Sequence, residues 1–374
     1  MLAIQDTTEI SFGRNRRQPA ELGPGTDDHS PALFAHPVLA VDRDDAAVLG
    51  PVYGEIWTRE TTKVAADRAA RERGEKESRR WLTAMQATHA RLDRARQVIM
   101  VADREADIYT PFAECPTGMD LVVRAHHDRK LANGQKLSDA AASWTDLGYA
   151  EVHVAPRGPG DKGRWARVAV RAGTVDLARP ATSPEAQAAH VRLTMVEVRE
   201  PDPPKGKKAL HWRLLTTLPA GDLEQAREVA CIYRQRWRIE QLFRSMKRDG
   251  LGLEDSQLVR KDHLVKITAI ALIAASRTMQ LVDARDGSSR PASDVLDADL
   301  LPIAEAIGRR LEGRTARQQN PHPKHSLAWL AWIIARLGGW HGYYKPPGPK
   351  TMRDGWDVFA AKLQGYAEAL DDLK

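Results

Sequence analysis

The stretch QVIMVADREAD, residues 97 to 107, decides the fold of this chain. Its centre, VIMVA, is a short continuous apolar run, which is typical of a strand buried on both faces. The run ends at Asp103, and a charged segment follows it. A charged helical pattern precedes it from about Thr61 to Arg96. A buried strand between helical segments predicts an α/β core.

Three more strands are predicted near the start of the chain. They are residues 1 to 12, HPVLAVDR at 36 to 43, and AAVLGPVYGEIW at 46 to 57. The first strand begins almost at Met1 and carries Asp6 directly after a short apolar stretch. Two strands of the predicted core, the first and VIMVA, therefore each lead into an aspartate.

The pattern changes between Leu121 and Thr217, where five segments alternate in polarity and are separated by turns rich in glycine and proline. The segments are LVVRA, YAEVHVA, RWARVAVRA, VRLTMVEVRE and HWRLLTT. They predict an antiparallel β subdomain inserted into the α/β core. From residue 251 onward the pattern is helical and predicts a C-terminal helical region.

These patterns divide the chain into four parts. We expect residues 1–118 to form the first part of the core, and 119–220 the β insertion. Residues 221–275 would complete the core with a long helix, and 276–374 would form the helical region, with a role in dimerisation. A chain of 374 residues is long enough for two or three such domains or subdomains.

Composition narrows the class of protein. Hydrophobic residues make up 42% and charged residues 28% of the chain, which argues for a folded protein. The net charge of +6 favours an anionic partner, and residues 201–250 hold eleven Lys or Arg against six Asp or Glu. The basic excess is therefore concentrated around one region.

The cysteines, the longest apolar run and the first residues indicate where the protein is located. Cys115 and Cys231 lack the spacing of a zinc site or a disulfide framework. The longest apolar run, Ile267 to Ser276, is much shorter than the ~20 residues that span a bilayer. The first twelve residues lack the features of a signal peptide. We therefore predict a cytoplasmic protein without a membrane partner.

The basic region contains YRQRWRIEQLFRSMK, residues 233 to 247, which surrounds Glu240 with positive charge. At about 100° per residue, Tyr233, Arg236, Glu240 and Lys247 share a stripe roughly 60° wide. A separate apolar face holds Ile232, Ile239, Leu242, Phe243 and Met246. Asp222, with Gln225 as its capping-box partner, would begin this long helix, and Asp249-Gly250 would end it. Salt bridges on a solvated face offer an alternative explanation of the charges.

Three carboxylates stand at the ends or centres of core elements: Asp6, Asp103 and Glu240. Converging carboxylates suit Mg²⁺, which prefers oxygen ligands. Each also has a structural alternative, since Asp6 could form a turn and Asp103 could cap the next helix. Glu105 and Asp107 are neighbours that could replace Asp103 as a ligand. The absence of a GxxxxGK[ST] loop argues against an NTPase.

The residues Tyr233, Arg236, Glu240 and Lys247 match the pattern Y-x2-R-x3-E-x6-K. With QDTT at 5–8, EKES at 75–78 followed by Trp81, ADREADIY at 102–109 and ARLGG at 335–339, the chain resembles the insertion-sequence-four family of bacterial transposases. The blocks occur in the same order as in that family, and the resemblance covers essentially the whole chain.

The resemblance implies a ribonuclease-H-like core whose Asp-Asp-Glu triad maps onto Asp6, Asp103 and Glu240. The triad would bind two ions of Mg²⁺ or Mn²⁺ and act on double-stranded DNA, at transposon ends and target. In the cut-and-paste members of the family, a freed hydroxyl attacks the opposite strand to form a hairpin, water reopens the hairpin, and the end joins the target. The active form would be a homodimer on paired ends.

The resemblance also implies DNA contacts from Tyr233, Arg236, Lys247 and Arg124. Trp212 matches the position of an aromatic residue that stacks on a flipped base, although packing within the β insertion is the alternative. Lys205, Lys207 and Lys208 would face either DNA or solvent.

Relatives usually carry an N-terminal DNA-binding region before the first catalytic strand, which here starts at Met1. Either the true start lies upstream or the copy is truncated. The alternatives to a transposase are a metal nuclease that cuts without joining and a non-catalytic DNA-binding or inhibitory remnant.

Overall fold

The computed structural model describes residues 1–15, 17, 19, 21–59, 66–154, 163–249, 251–343 and 345–371. Within these ranges the side chains of residues 66–78, 249 and 367–371 are left undescribed. The predicted turn RGPGDKG lies largely outside the described residues, as do Gly250 and the start of the helix predicted from Thr61.

The described part of the chain is a mixed α/β structure with a ten-stranded, mostly antiparallel sheet. The strands are β1 Leu2–Gln5, β2 Thr8–Ser11, β3 Ala32–Val41, β4 Val48–Trp57, β5 Val98–Ala102, β6 Met119–Arg124, β7 Gly148–Val154, β8 Arg164–Ala178, β9 His190–Arg199 and β10 His211–Thr216. The helices are α1 Ala66–Arg91, α2 Tyr109–Ala113, α3 Leu137–Ser143, α4 Leu223–Arg234, α5 Trp237–Arg244, α6 Lys261–Ala284, α7 Leu301–Leu311, α8 Leu327–Leu337 and α9 Pro349–Asp371.

The chain forms two compact units. The first comprises residues 1–7, 36–44 and 62–239, and the second comprises residues 8–35, 45–61 and 240–374. The division into four parts expected from the sequence stays a prediction.

In the first unit, the strand order runs from the second half of β3 through β1, β5, β6, β10, β9 and β8 to β7. The pairs β1–β5 and β5–β6 are parallel, and β6–β10, β10–β9, β9–β8 and β8–β7 are antiparallel. Both β1 and β5 are buried along their whole length, as the apolar run VIMVA predicted for β5. The five alternating segments between Leu121 and Thr217 form β6 to β10.

The prediction of one strand over residues 1 to 12 is wrong. Two short strands, β1 and β2, stand there, and Asp6 and Thr7 lie between them. In the register of β3, Gln5 is opposite Val38 and Thr8 is opposite Ala35. The interruption therefore lies opposite Pro37, which has no N–H to donate to a ladder. The break leaves the Asp6 side chain outside the regular pleat.

The prediction of one long helix from Asp222 to Asp249 is also wrong. α4 ends at Arg234, α5 begins at Trp237, and a π-helical turn covers Ser245–Asp249. Between the helices, Arg236 N donates to Tyr233 O at 3.0 Å, and similar i to i−3 hydrogen bonds flank it. The tighter winding rotates the residues after 235 relative to those before it. Tyr233 therefore does not lie on the same helical face as Glu240 and Lys247 in the way calculated for an uninterrupted α-helix.

Other parts of this helix prediction are confirmed. The Asp222 side chain accepts a hydrogen bond from Gln225 N at 2.9 Å and so caps α4. The Gln225 side chain accepts from Gly221 N at 2.8 Å instead of returning to the cap residue, so the predicted capping box is half formed. The whole predicted apolar face is buried: Ile232, Ile239, Leu242, Phe243 and Met246.

The second unit contains β2, the first half of β3, β4 and the helices α6 to α9. The apolar segments of α8 and α9 pack with part of α6 into one core cluster that includes Leu330, Ile334 and Phe359. α6 is long and apolar enough, by length and composition, to cross a membrane, but half of its most apolar stretch is buried. It contacts β4, α8 and α9, which is the behaviour of a core helix, so this test is weak evidence for a membrane span.

Candidate active site

Asp6 and Asp103 lie at one edge of the first unit's sheet. β1 and β5 are parallel, and Ile4 of β1 is opposite Val101 of β5. Each aspartate follows two residues after that pair. Because the carboxyl ends of parallel strands meet at the same edge of a sheet, the two side chains emerge together. The two predicted carboxylates of the first unit are thus brought to one place.

The Asp6 carboxylate is almost completely buried, with 8% of the residue exposed. Its Oδ1 accepts a hydrogen bond from Thr7 N at 2.8 Å, and Arg236 Nη1 lies 3.4 Å from Oδ2. Burial and the nearby Asp103 charge raise the pKa of Asp6 to about 7, and Arg236 and the Thr7 hydrogen bond oppose that rise. A cation bound between the two carboxylates would therefore stabilise their charged forms.

Asp103 is half-buried and has the capping role considered as its alternative. Its Oδ1 accepts a hydrogen bond from Glu105 N at 2.8 Å and caps the 3₁₀ turn Arg104–Ala106. That hydrogen bond holds the carboxylate at the end of β5. A cap through Oδ1 is compatible with a ligand role for Oδ2.

Asp107, one of the two possible substitutes for Asp103, has a structural role. Its Oδ2 accepts hydrogen bonds from His126 N and His127 N at 2.7 and 2.9 Å, and its Oδ1 accepts from Arg129 Nε at 2.7 Å. The side chain is completely buried. Both oxygens are therefore used to hold the segment after β6. Glu105, the other substitute, is exposed.

A buried polar network borders Asp6 and was missed by the sequence reasoning. His36 is fully buried in β3, its Nε2 lies 3.2 Å from Gln5 Oε1, and its Nδ1 lies 2.8 Å from Thr7 Oγ1. Trp81 packs edge-on against the imidazole. Burial, aided by the Arg80 charge, lowers the pKa of His36 to about 3, so the ring is neutral.

With the Gln5 side-chain oxygen facing Nε2, the neutral His36 ring donates from Nε2–H to Gln5 Oε1 and accepts at Nδ1 from the Thr7 hydroxyl. The network thereby fixes the residues on both sides of Asp6. The signal that could have revealed it was a histidine in the middle of an otherwise apolar strand.

Four of the five predicted DNA-binding residues cluster in the first unit. Arg124 Nη2 donates to His211 O at 2.9 Å, and burial lowers the pKa of Arg124, while the Tyr233 hydroxyl opposes that shift. The Tyr233 ring meets Trp212 edge-on at 5.3 Å, and the Arg236 guanidinium lies 6.0 Å from the same ring. β6, β10 and the C-terminal end of α4 with the turn after it thus contribute to one basic and aromatic cluster.

Trp212 is half-buried and packs against a side chain of α4, so it does not belong to the fully buried core of the β strands. Tyr233, in contrast, is almost completely buried, with 5% exposed. Of this pair, Trp212 has the ring that can meet a ligand. The three lysines Lys205, Lys207 and Lys208 are all exposed.

The second unit holds the remaining two predicted residues, Glu240 and Lys247. Glu240 is half-buried on α5. Lys247 Nζ lies 3.9 Å from Glu254 Oε1, and burial lowers the pKa of Lys247 against the opposing effect of Glu254 and Glu9.

Among the described residues, no group of three or more His, Cys, Asp or Glu side chains could hold a metal ion. The donor set of the first unit nevertheless fits a hard divalent cation. Asp6 and Asp103 offer carboxylate oxygens at one edge, and their mutual repulsion is the kind that a bound cation relieves.

A parallel pair of buried strands with a carboxylate after each one, extended by antiparallel strands and flanked by helices, places the protein in the ribonuclease-H-like class. The sequence model of the family described as transposase DDE domain matches residues 59–276, more than half of the chain. The chain belongs to this transposase family.

Proposed function

We propose that this protein is a DNA transposase that cleaves transposon ends and joins them to target DNA with Mg²⁺ or Mn²⁺. The observation that carries the proposal is the pairing of Asp6 with Asp103 at the edge formed by β1 and β5. Membership of the transposase DDE domain family supports the same activity.

In this proposal Asp6, Asp103 and Glu240 are the metal-binding triad, and they hold two ions. The bound ions would activate the attacking hydroxyl and stabilise the leaving oxygen of the phosphodiester. The Thr7 hydrogen bond and the Glu105 cap orient one carboxylate each. We assign Asp103 and not Asp107 to the triad because the Asp107 oxygens already accept three hydrogen bonds.

Basic and aromatic residues of each unit would bind the DNA. Arg124, Arg236 and Lys247 contact phosphates, and Tyr233 supports Arg124 through its hydroxyl. Arg236 lies against the Asp6 carboxylate in this structure, and it would bind a phosphate when a cation neutralises Asp6. Trp212 stacks on a base flipped from the distorted transposon end.

The motif Y-x2-R-x3-E-x6-K supports a place in the insertion-sequence-four type, with a hairpin intermediate and a homodimer on paired DNA ends. The C-terminal helices would provide the dimer contact. The resemblance to bacterial transposases supports a bacterial cytoplasmic location, where the DNA substrate would be found.

The test is cleavage and joining of a pre-nicked, open-ended duplex with Mn²⁺, comparing the wild type with Glu240→Gln. Glu224→Gln is the matched control because Glu224 is exposed in the first turn of α4. We expect the first variant to lose both reactions and the control to keep them.

The same assay separates the alternatives. Cleavage by the wild type without any joined product would support a nuclease instead of a transposase. A folded wild-type protein that neither cleaves nor joins would support a DNA-binding or inhibitory remnant. Either result would contradict the proposal.

A further inference from the structure

The C-terminal helical region contains a cavity of about 460 Å³. Its walls come from the end of α6, the loop between α7 and α8, one face of α8 and the loop before α9. Its volume is within the range of roughly 300–1,000 Å³ that small-molecule sites occupy. The residues that matter for its chemistry are Arg285, Arg317, Gln319, His322, Trp332 and Trp340.

The ionisable side chains that line the cavity are all basic. Arg285, Arg317 and His322 line it, and no acidic side chain of the described residues does. The loop at 312–326 carries three Lys or Arg and one acid, Glu312. Arg285 Nη1 donates to Pro347 O at 2.8 Å, and its Nε lies 3.3 Å from Asp286 Oδ2. The exposed Arg317 is therefore the cation of this wall that a ligand would meet. An anionic group is therefore the complementary ligand at this wall.

Two tryptophans form the aromatic part of the lining, and they differ in exposure. Trp332 belongs to the core, with 4% exposed, and Arg336 lies 5.5 Å from its ring. Trp340 is half-buried, and its ring N–H donates to Lys345 O at 3.1 Å. Arg336 also donates to Trp340 O at 3.2 Å. These hydrogen bonds hold Trp340 in place as the ring of this pair on which a base can stack.

Cationic and aromatic groups together select a particular chemistry. A phosphate ion would need the cations but no tryptophan, and an apolar molecule would need the tryptophans but no cation. A nucleotide carries both a phosphate and a flat aromatic base, and it is small enough for the cavity.

We propose that this cavity binds one unpaired nucleotide of a DNA strand. The base lies against Trp340, and its phosphate lies against Arg317. The proposal deepens the proposed function, on which the choice of DNA rests, and it adds a nucleotide site to the one assigned to Trp212.

The first test measures binding of a fluorescein-labelled single-stranded oligonucleotide, dT12, by fluorescence anisotropy without a divalent metal. Arg317→Glu and Trp340→Leu should each raise the dissociation constant about tenfold, as expected for a lost phosphate or stacking contact. Arg314→Glu is the matched control, since this exposed residue lies in the same loop but does not line the cavity. It should change the constant by less than about threefold.

If Arg317→Glu and Arg314→Glu reduce the affinity for dT12 equally, DNA is attracted to the basic loop in general, and the proposal is overturned. A second readout identifies the site directly. An oligonucleotide with one 5-iodouracil should crosslink to a peptide that contains Trp340. Crosslinks confined to other peptides of the folded protein would also overturn it.

Competition distinguishes the sources of the nucleotide. Free dTMP should displace dT12 only at concentrations far above those of unlabelled dT12, whereas equal potency would make a free nucleotide the ligand and overturn the DNA assignment. Failure of the proposed function is seen separately, as absent cleavage with Mn²⁺. That failure would leave the metal-free binding measurements and their comparison of variants unchanged.

Discussion

Arg236 Nη1 lies 3.4 Å from Asp6 Oδ2, although the two residues are 230 positions apart in the chain. Both side chains are largely buried, with 14% and 12% exposed. The guanidinium is thus the counter-charge of an aspartate that we assign to the metal site. Arg236 and a bound divalent cation would each neutralise the charge of the Asp6 carboxylate.

This relationship predicts how Arg236→Gln responds to metal. In EDTA at pH 8 the variant should lose about 2 kcal/mol of unfolding free energy, because a buried carboxylate loses its charged partner. Saturating Mn²⁺ should remove most of that loss. The measurement is urea unfolding with and without Mn²⁺, and exposed Arg234→Gln is the control. A loss that Mn²⁺ does not change would contradict the shared role.

Asp6→Asn should stabilise the metal-free protein. The pKa of Asp6 is about 7 in the folded state against an ordinary 3.8, so the carboxylate costs stability increasingly as pH rises through that interval. The variant should therefore gain most over the wild type above pH 7 and nothing near pH 3. It should also lose the Mn²⁺-induced rise in Tm. Thermal melts across a range of pH, with EDTA or with Mn²⁺, measure both the gain in stability and the response to Mn²⁺. A metal-free variant that is less stable than the wild type at pH 8 would contradict the prediction.

Asp103→Asn and Asp107→Asn should separate function from stability. The first should abolish cleavage and leave Tm within about 2 °C of the wild type, since the asparagine oxygen can still accept the cap hydrogen bond from Glu105 N. The second should cost about 3 kcal/mol, because it breaks a buried ion pair with Arg129. Cleavage assays and urea unfolding of both variants are the measurements. An inactive but fully stable Asp107→Asn protein would instead make Asp107 the ligand.

Glu197 should contribute stability that is lost in acid. Burial would raise the pKa of Glu197, but hydrogen bonds from His211, Arg213 and Arg171 outweigh it and lower the pKa to about 2. The contribution is therefore complete above about pH 4.5 and disappears as pH falls toward 2. Glu197→Gln should cost about 2–3 kcal/mol at pH 7 and much less at pH 2.5.

Urea unfolding at both pH values measures this difference. Glu151→Gln provides the control because Glu151 is exposed on β7. A penalty for Glu197→Gln that is independent of pH would show that the carboxylate charge contributes nothing.

Gly355 allows α8 and α9 to pack closely. A Cβ at this position would lie 1.8 Å from Ile334 O, so Gly355→Ala should cost about 2 kcal/mol or more. Gly365 lies in the same helix, and a Cβ there would meet nothing within 4 Å. Gly365→Ala should therefore gain up to about 1 kcal/mol from helix propensity. Equal effects of the two variants in chemical unfolding would contradict the packing argument.

Local pattern determined much of this protein. The apolar runs predicted β5 and the five strands from β6 to β10, and helical periodicity predicted the buried face that includes Ile239 and Leu242. Side chains repeat every two residues in a strand and every 3.6 residues in a helix, so the order of nearby residues is enough to predict these features. The blocks around Asp103 and Glu240 also sufficed to indicate the transposase family.

Only the tertiary structure decided which acidic side chains have partners and where the regular elements stop. The Asp107 oxygens accept hydrogen bonds from residues 126–129. Asp6 lies beside Arg236 and the His36 network, which come from remote segments. The break in the first strand depends on Pro37 across the sheet. Hydrogen bonds and ion pairs between distant residues follow from how strands are ordered and registered, and periodicity along the chain does not specify that arrangement.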